Sequence, residues 1–190
     1  MDVQAFDEFH HQQMPIGDRP RIQRPDDVLA IDGADGIINL AGEPIAAKRW
    51  SVAQKAKLRS SRIDATRSLV DAISKANVKP KFLINASAVG YYGPKGDETV
   101  TEKTGSGSDF LSRLCVEWED EARKAEAFGV RVALVRTGIV LAKGKGALAK
   151  MVAPFKMFVG GPLGSGRQWM PWIHIEDEIE LISFLIENDA

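Results

Sequence analysis

Apolar residues along the chain fall into short runs and spaced stripes that switch between the periods of strands and of helices. The run Phe82-Leu83-Ile84-Asn85-Ala86 leaves through Ser87-Ala88-Val89-Gly90-Tyr91-Tyr92-Gly93. Its length and its polar, glycine-containing exit predict a central parallel strand buried on both faces by helices. Gly36-Ile37-Ile38-Asn39-Leu40 predicts a shorter β-branched strand opening into Ala41-Gly42-Glu43-Pro44, where small residues let a ligand approach the backbone. Between the two strands, Ile63, Thr66, Val70, Ile73 and Ala76 share one helical stripe, with Ser51 as candidate N-cap and Asn77 and Pro80 as the stop. A second helix opens near Ser108 or Asp109, stacks Leu111, Leu114, Cys115, Trp118, Ala122 and Ala125, and ends at Gly129 in the C′ position.

Beyond it, Val130 to Arg136 reads as a third strand, and Thr137-Gly138-Ile139-Val140-Leu141 continues from its carboxyl end. An amphipathic piece (Leu148, Met151, Val152, Phe155) follows, then a Gly/Pro hairpin-like stretch, a short strand Trp172-Ile173-His174-Ile175 and a last helix from Glu176. The acidic start of that helix, Glu176-Asp177-Glu178, suits its positive N-terminal end. Strand, helix, strand in this order predicts an α/β fold with right-handed parallel crossovers. Ligands of such sheets gather outside the carboxyl ends of the strands, which puts Ser87, Tyr91 and Tyr92 at the mouth of a site. Residues 1–28, rich in Gln, His, Asp, Arg and Pro, show no period and read as a leader or a poorly ordered arm.

Composition narrows the class. With 190 residues, 44% hydrophobic and 27% charged, the chain suits one globular domain with a sizeable core. The single Cys115 excludes a disulfide within the chain, and His10, His11 and His174 with one cysteine give no familiar zinc spacing, so no metal site is expected. No apolar stretch reaches the roughly 18 residues that span a bilayer, and the acidic start is unlike a signal peptide; a cytoplasmic location is expected, with no membrane partner. Between Glu126 and Glu176 there is no acidic residue, while Arg131, Arg136, Lys143, Lys145, Lys150, Lys156 and Arg167 are basic. That segment is either a solvated face or a field that attracts phosphates or another polyanion. Its aromatics do not interleave with the basic residues as in single-strand binders, so nucleic acid is not expected as a partner.

Individual motifs are weak. Gly144-Lys145-Gly146-Ala147-Leu148-Ala149 fits a G-x-G-x-x-A dinucleotide fingerprint but lacks the acidic residue about 20 positions on. Gly161 to Gln168 has the glycines of a phosphate loop, yet Arg167 and Gln168 replace its Lys and Ser/Thr, so it reads as a turn. Tyr91-Tyr92-Gly93-Pro94-Lys95 contains Y-x-x-x-K, an acid/base pair that needs a helical turn which Gly93-Pro94 disfavours. Ser87 reads either as a hydroxyl that polarises a substrate oxygen or as a structural serine. No neighbouring Asp or His completes a triad, and distant His174 is either a base or a half-buried, satisfied residue.

Taken in series, several stretches resemble one family, the epimerase-family proteins of the extended short-chain dehydrogenase/reductase superfamily, an atypical branch similar to NAD(P)-dependent nucleotide-sugar epimerases. They are Ile38 to Ile45, Arg49-Trp50, Ser61-Arg62, Ser87 to Gly93, Arg136 to Leu141, and Gly160 to Gln168 with Pro171 to Ile175. The resemblance covers about Ile31 to Asn188. It implies a Rossmann-like parallel sheet with flanking helices in which Leu40, Ala41 and Gly42 follow the fourth strand and touch NAD or NADP, and Ser87 ends the fifth. The resemblance further implies that Arg62, in the place of an Asn, would reach the cofactor, as would Arg136 and Val140 after the sixth strand. Glu43, Arg167 and Gln168 would meet a small anionic substrate, and Ser87, Tyr91 and Tyr92 would carry the chemistry.

Three departures accompany the resemblance. The family's opening strand and G-x-x-G-x-x-G loop have no counterpart in Met1 to Leu40; Leu111 and Cys115 stand where the usual catalytic Tyr and Lys would fall; and the chain stops where relatives continue. The expectation is a chain truncated at both ends: a leader over 1–28, a Rossmann domain over 29–142 lacking its first strands and glycine loop, and the start of a substrate-binding part over 143–190. The expected activity is an NAD(P)-dependent oxidoreductase or epimerase acting on a nucleotide-sugar-like or other anionic substrate. A non-catalytic NAD(P)-binding regulatory or interaction protein is the alternative.

Overall fold

Gly36–Asn39 (β1), Phe82–Ala86 (β2) and Arg131–Val135 (β3) pair in parallel in the order β1-β2-β3, with Asn39 opposite Asn85 and Ala86 opposite Val135. The computed structural model describes residues 31–46, 48–162 and 164–188; the leader assigned to residues 1–28 lies outside them. β2 takes the centre because it has no polar face to turn to water: Leu83, Ile84 and Asn85 are all fully buried.

Two helices cover one face. Helix α1 (Val52–Lys75) begins where Ser51 Oγ accepts the Gln54 amide, as the sequence predicts, and ends at Ala76. Helix α2 (Phe110–Arg123) is capped by Asp109, tightens into a 3-10 segment over Lys124–Phe128, and stops at Gly129, whose φ of 78° a side chain would resist. Leu69, Val70 and Ile73 of α1 and Ala122 of α2 meet Leu83 and Val130 in one core cluster, while Leu58, Ile63, Leu114 and Trp118 form a second. Each such fully buried aliphatic chain stabilises the fold by about 1.5–3 kcal/mol.

The chain does not carry β3 onward through Thr137. The Ile139 amide donates to Pro171 O at 2.9 Å, and a Cβ on Gly138 would come within 2.8 Å of that same oxygen. Ile139–Ala142 (β4) therefore leaves the main sheet and pairs in parallel with Trp172–His174 (β5), the two joined by helix α3 (Gly146–Lys156). The Gly144 to Ala149 stretch, a weak match to the dinucleotide fingerprint, opens as a turn: Ala142 bridges Lys145, and Gly144 supplies a φ of 71°. Helix α4 (Ile175–Glu187) then returns to the other face of the main sheet, where Ile182 packs on Ile84 and Val135.

Candidate functional site

Two buried amides organise the strand tips. Asn39 Nδ2, at the end of β1, donates to Asn85 Oδ1 on β2 at 2.6 Å and to Thr66 Oγ1 on α1 at 3.0 Å; Trp118 Nε1 on α2 donates to the same Thr66 oxygen at 2.9 Å. Asn39 Oδ1 accepts the Ala41 amide at 3.2 Å, which fixes the start of the loop Leu40-Ala41-Gly42. Such a network holds geometry only when its members are satisfied, and here each amide side chain has a partner.

Below that loop lies Arg62 of α1. Its Nη1 donates to the carbonyls of Glu43 and Leu58 at 3.1 Å each, and its guanidinium carbon sits 5.2 Å from the Trp118 ring centre. Burial lowers its pKa, opposed by nearby charge including Glu43. Glu43 is held in turn: its amide donates to Ser61 Oγ at 2.9 Å, and its carboxylate meets Lys57 Nζ at 3.1 Å, the contact that chiefly lowers its pKa.

At the tip of β2 the arrangement is an ion pair with three hydroxyls around it. Glu119 of α2 is buried, and Arg136, just after β3, forks onto it with Nε and Nη2 each 2.8 Å from a carboxylate oxygen. Ser87 Oγ donates to Glu119 Oε1 at 2.6 Å. The remaining Arg136 edge, Nη1, donates to Tyr92 Oη at 3.0 Å and to the Glu102 carbonyl at 3.3 Å, while the guanidinium lies 3.5 Å from the Tyr91 ring centre. The Glu119 carboxylate and the Tyr92 contact push the Arg136 pKa upward. Cys115, one turn before Glu119, lies within reach of Ser87; burial above all pushes its thiol up.

The structure brings Ser87, Tyr91, Tyr92 and Arg136 together, and Leu40, Ala41, Gly42, Glu43 and Arg62 into a second group. Val140 sits instead in the small sheet, opposite Ile173, and Arg167 and Gln168 lie on an exposed turn. His174 caps α4, its Nδ1 accepting the Glu176 amide. Val89–Tyr92 is a 3-10 turn ended by Gly93 at φ 68°, so Tyr91 and Lys95 do not share an α-helical turn. Sequence reasoning missed Glu119. Its one signal is position, four residues after Cys115 and next to Trp118 on the buried stripe of α2. Among the described residues no group of three or more His, Cys, Asp or Glu is placed to hold a metal, and no helix is long and apolar enough to cross a membrane.

With this geometry in view, the likeness to known proteins is specific. The chain is 47% identical over 162 residues to the chloroplastic homologue of epimerase family protein SDR39U1 from Arabidopsis thaliana, covering 84% of this chain and 46% of that one. It is 46% identical over 152 residues to the epimerase family protein YfhF of Bacillus subtilis, covering 80% and 50%. The chain thus spans about half the length of the curated relatives it matches. Among solved structures, human epimerase family protein SDR39U1 with NADPH superposes with a TM-score of 0.78 at 34% identity, over 87% of this chain and 57% of that one. A nucleoside-diphosphate sugar epimerase from Corynebacterium glutamicum superposes at 0.75 and 35% identity, over 87% and 35%. The α/β architecture is therefore Rossmann-like. Because the family match runs from residue 4 to residue 190, through the segment read as a leader as well as through both groups of site residues, the chain belongs to the NAD dependent epimerase/dehydratase family.

Proposed function

We propose that this chain is the nucleotide-binding portion of an NAD(P)-dependent epimerase or oxidoreductase that acts in the cytoplasm on a nucleotide-sugar-like or other anionic substrate. The observation that carries the reading is the surface made by Leu40, Ala41, Gly42 and Arg62. All three loop residues are exposed, and a Cβ added to Gly42 would stand 2.9 Å from Arg62 Cζ, so bare backbone and cation form one face. Among the described residues no hydrogen bond uses Arg62 Nε or Nη2. A planar fork beside unsubstituted backbone suits the phosphates and hydroxyls of a dinucleotide. The relatives crystallised with NADPH or named as a nucleoside-diphosphate sugar epimerase support the same reading.

In this reading Leu40, Ala41, Gly42 and Arg62 hold the cofactor, with Ser87, Arg136 and Val140 toward its reactive end, and Glu43, Arg167 and Gln168 meet the substrate. Bound there, a nicotinamide supplies hydride exchange with a substrate carbon. The chain itself holds or moves the accompanying proton at Tyr91 or Tyr92. Ser87, whose hydrogen points to Glu119, receives a hydrogen bond from the ligand and orients it. That same use of the Ser87 hydrogen, with Leu111 and Cys115 on the facing helix, favours the second reading, a non-catalytic NAD(P)-binding regulatory protein.

Titration of the 190-residue chain with NADPH and with NAD, by nicotinamide fluorescence and calorimetry, tests the proposal. Binding is expected to be weak, because Met1 to Leu40 contains no G-x-x-G-x-x-G loop whose backbone amides would cradle a pyrophosphate. It is expected to weaken by about tenfold or more in Arg62→Ala, the usual scale for a lost charged hydrogen bond. No saturable binding of either nucleotide, or equal affinity in the variant, would overturn it; binding without NADPH turnover on any carbonyl substrate would select the regulatory reading.

A further inference from the structure

A buried carboxylate is tolerated only when its charge and lone pairs are met, and Glu119 meets this requirement with three hydrogen bonds, two from Arg136 and one from Ser87. The fork fixes the plane of the Arg136 guanidinium. With the plane fixed, one face lies against the Tyr91 ring and the Nη1 edge reaches Tyr92 Oη at 3.0 Å. Arginine has no acceptor, so in that contact Tyr92 Oη accepts and its own hydrogen points elsewhere.

The three hydroxyls of the site are thereby made unequal. The Ser87 hydrogen is held by Glu119. Tyr91 is held by its ring face, and no hydrogen bond among the described residues fixes its oxygen. Tyr92 alone has an oxygen fixed in place, beside a cation, with its hydrogen left for a ligand. We propose that Glu119 and Arg136 are positioning residues that make Tyr92 the hydrogen-bond donor to the reacting oxygen of the substrate, a carbonyl or alcohol. The proposal rests on the cofactor reading above and assigns within it a role to each of four side chains.

The chain contains two tyrosines, so labelling with 13Cζ-tyrosine gives two resonances, assigned by Tyr91→Phe. In the free chain, Glu119→Gln is expected to shift the Tyr92 resonance, because Arg136 is no longer held in its plane. Arg136→Lys keeps an ion pair with Glu119 but cannot fork and reach Tyr92 together. It is expected to reproduce the Tyr92 shift while keeping the thermal midpoint close to that of the parent, a split that a merely structural ion pair does not produce. Arg136→Lys also keeps the test open should Glu119→Gln fail to fold. A Tyr92 resonance unmoved in Arg136→Lys overturns the positioning role.

The donor role is read with NADPH and phenanthrenequinone, a diketone probe. Tyr92→Phe is expected to lower kcat by about a hundredfold with little change in KM, the usual loss of a positioned acid, and Tyr91→Phe by much less. Equal effects of the two substitutions overturn the assignment. A chain that neither binds nor oxidises NADPH overturns the cofactor reading and the donor role with it, whereas the tyrosine resonances decide the positioning role by themselves.

Discussion

Asn39 and Asn85 stand opposite each other in the β1–β2 register and are joined side chain to side chain, with Asn39 Nδ2 2.6 Å from Asn85 Oδ1. Both are buried; Asn39 Nδ2 also donates to Thr66 Oγ1, and Asn85 Nδ2 donates to the Ala86 carbonyl at 2.8 Å. Asn39→Ala would leave Asn85 Oδ1 and the Ala41 amide without these partners, at a cost of about 1–3 kcal/mol for a buried unsatisfied group. The expected result is a lower urea midpoint at unchanged m-value, together with faster hydrogen exchange at Ala41. A variant that unfolds at the parent midpoint would show that water or a shifted side chain replaces the amide.

Asp109 gives a prediction with a defined pH sign. Its Oδ1 accepts the Ser112 amide at 2.8 Å, and this cap is the main reason its pKa is lowered from 3.8. A carboxylate with a depressed folded pKa contributes stability that is complete above its unfolded value and is lost as pH falls through the folded one. Asp109→Ala should therefore cost about 1 kcal/mol at pH 7, as N-cap removal usually does. The gap between variant and parent should close as pH drops below the ordinary carboxylate range. A gap that stays constant down to pH 2 (about two units below the ordinary Asp value) would mean that the cost arises from packing. The cap also bears on the site, since Ser112 Oγ donates to the Gly90 carbonyl at 3.0 Å and steadies the turn that carries Tyr91 and Tyr92.

What the sequence shows and what it hides divide along the range of the interactions. The bounds of α1 are readable because their causes are local: Ser51 caps the Gln54 amide, and the Asn77 to Pro80 stretch cannot continue a helix. The central place of β2 is readable because its run lacks a polar face. Glu119 is not, because it is one of four carboxylates in the stretch Glu117 to Glu121. It is set apart only by Ser87, 32 residues before it, and Arg136, 17 after it. Arg136 is legible as a residue following a strand, but its fork onto Glu119 is not, because a buried carboxylate demands a partner that only the fold supplies. The departure of the chain at Gly138 depends likewise on Pro171, far along the sequence.

That close approach yields a third prediction. A Cβ on Gly138 would meet Pro171 O at 2.8 Å and Pro171 C at 3.0 Å, and both are backbone atoms that cannot swing aside. Gly138→Ala should destabilise by about 1–3 kcal/mol, the usual range for overpacking, and should loosen the β4–β5 pair first. Hydrogen exchange at the Ile139 amide, which donates to Pro171 O, is the direct readout; protection equal to the parent's would sink the argument.

The last prediction concerns Thr137 and Glu178, which meet where the main sheet, β5 and α4 converge. Thr137 Oγ1 donates to Glu178 Oε1 at 2.8 Å, while Glu178 Oε2 is buried with no hydrogen-bond partner among the described residues. Both side chains line a cleft of about 660 Å³ walled by Pro171, Trp172 and Leu181. A carboxylate buried with half its lone pairs unmet is costly, and removing its single partner makes the balance worse. Thr137→Val alone should therefore destabilise by about 1.5–3 kcal/mol, the range for a hydrogen bond to a charged group. Glu178→Leu alone removes the charge but leaves the Thr137 hydroxyl unpaired, a smaller loss. Joined in one chain, the two substitutions replace the polar pair by an apolar contact, and the double variant should be more stable than Thr137→Val and close to the parent or above it. A double-mutant cycle by urea denaturation measures the coupling, which must be well away from zero for residues in direct contact. If the costs simply add, Glu178 has a counter-ion or a water at its second oxygen, and the carboxylate is a satisfied part of the fold.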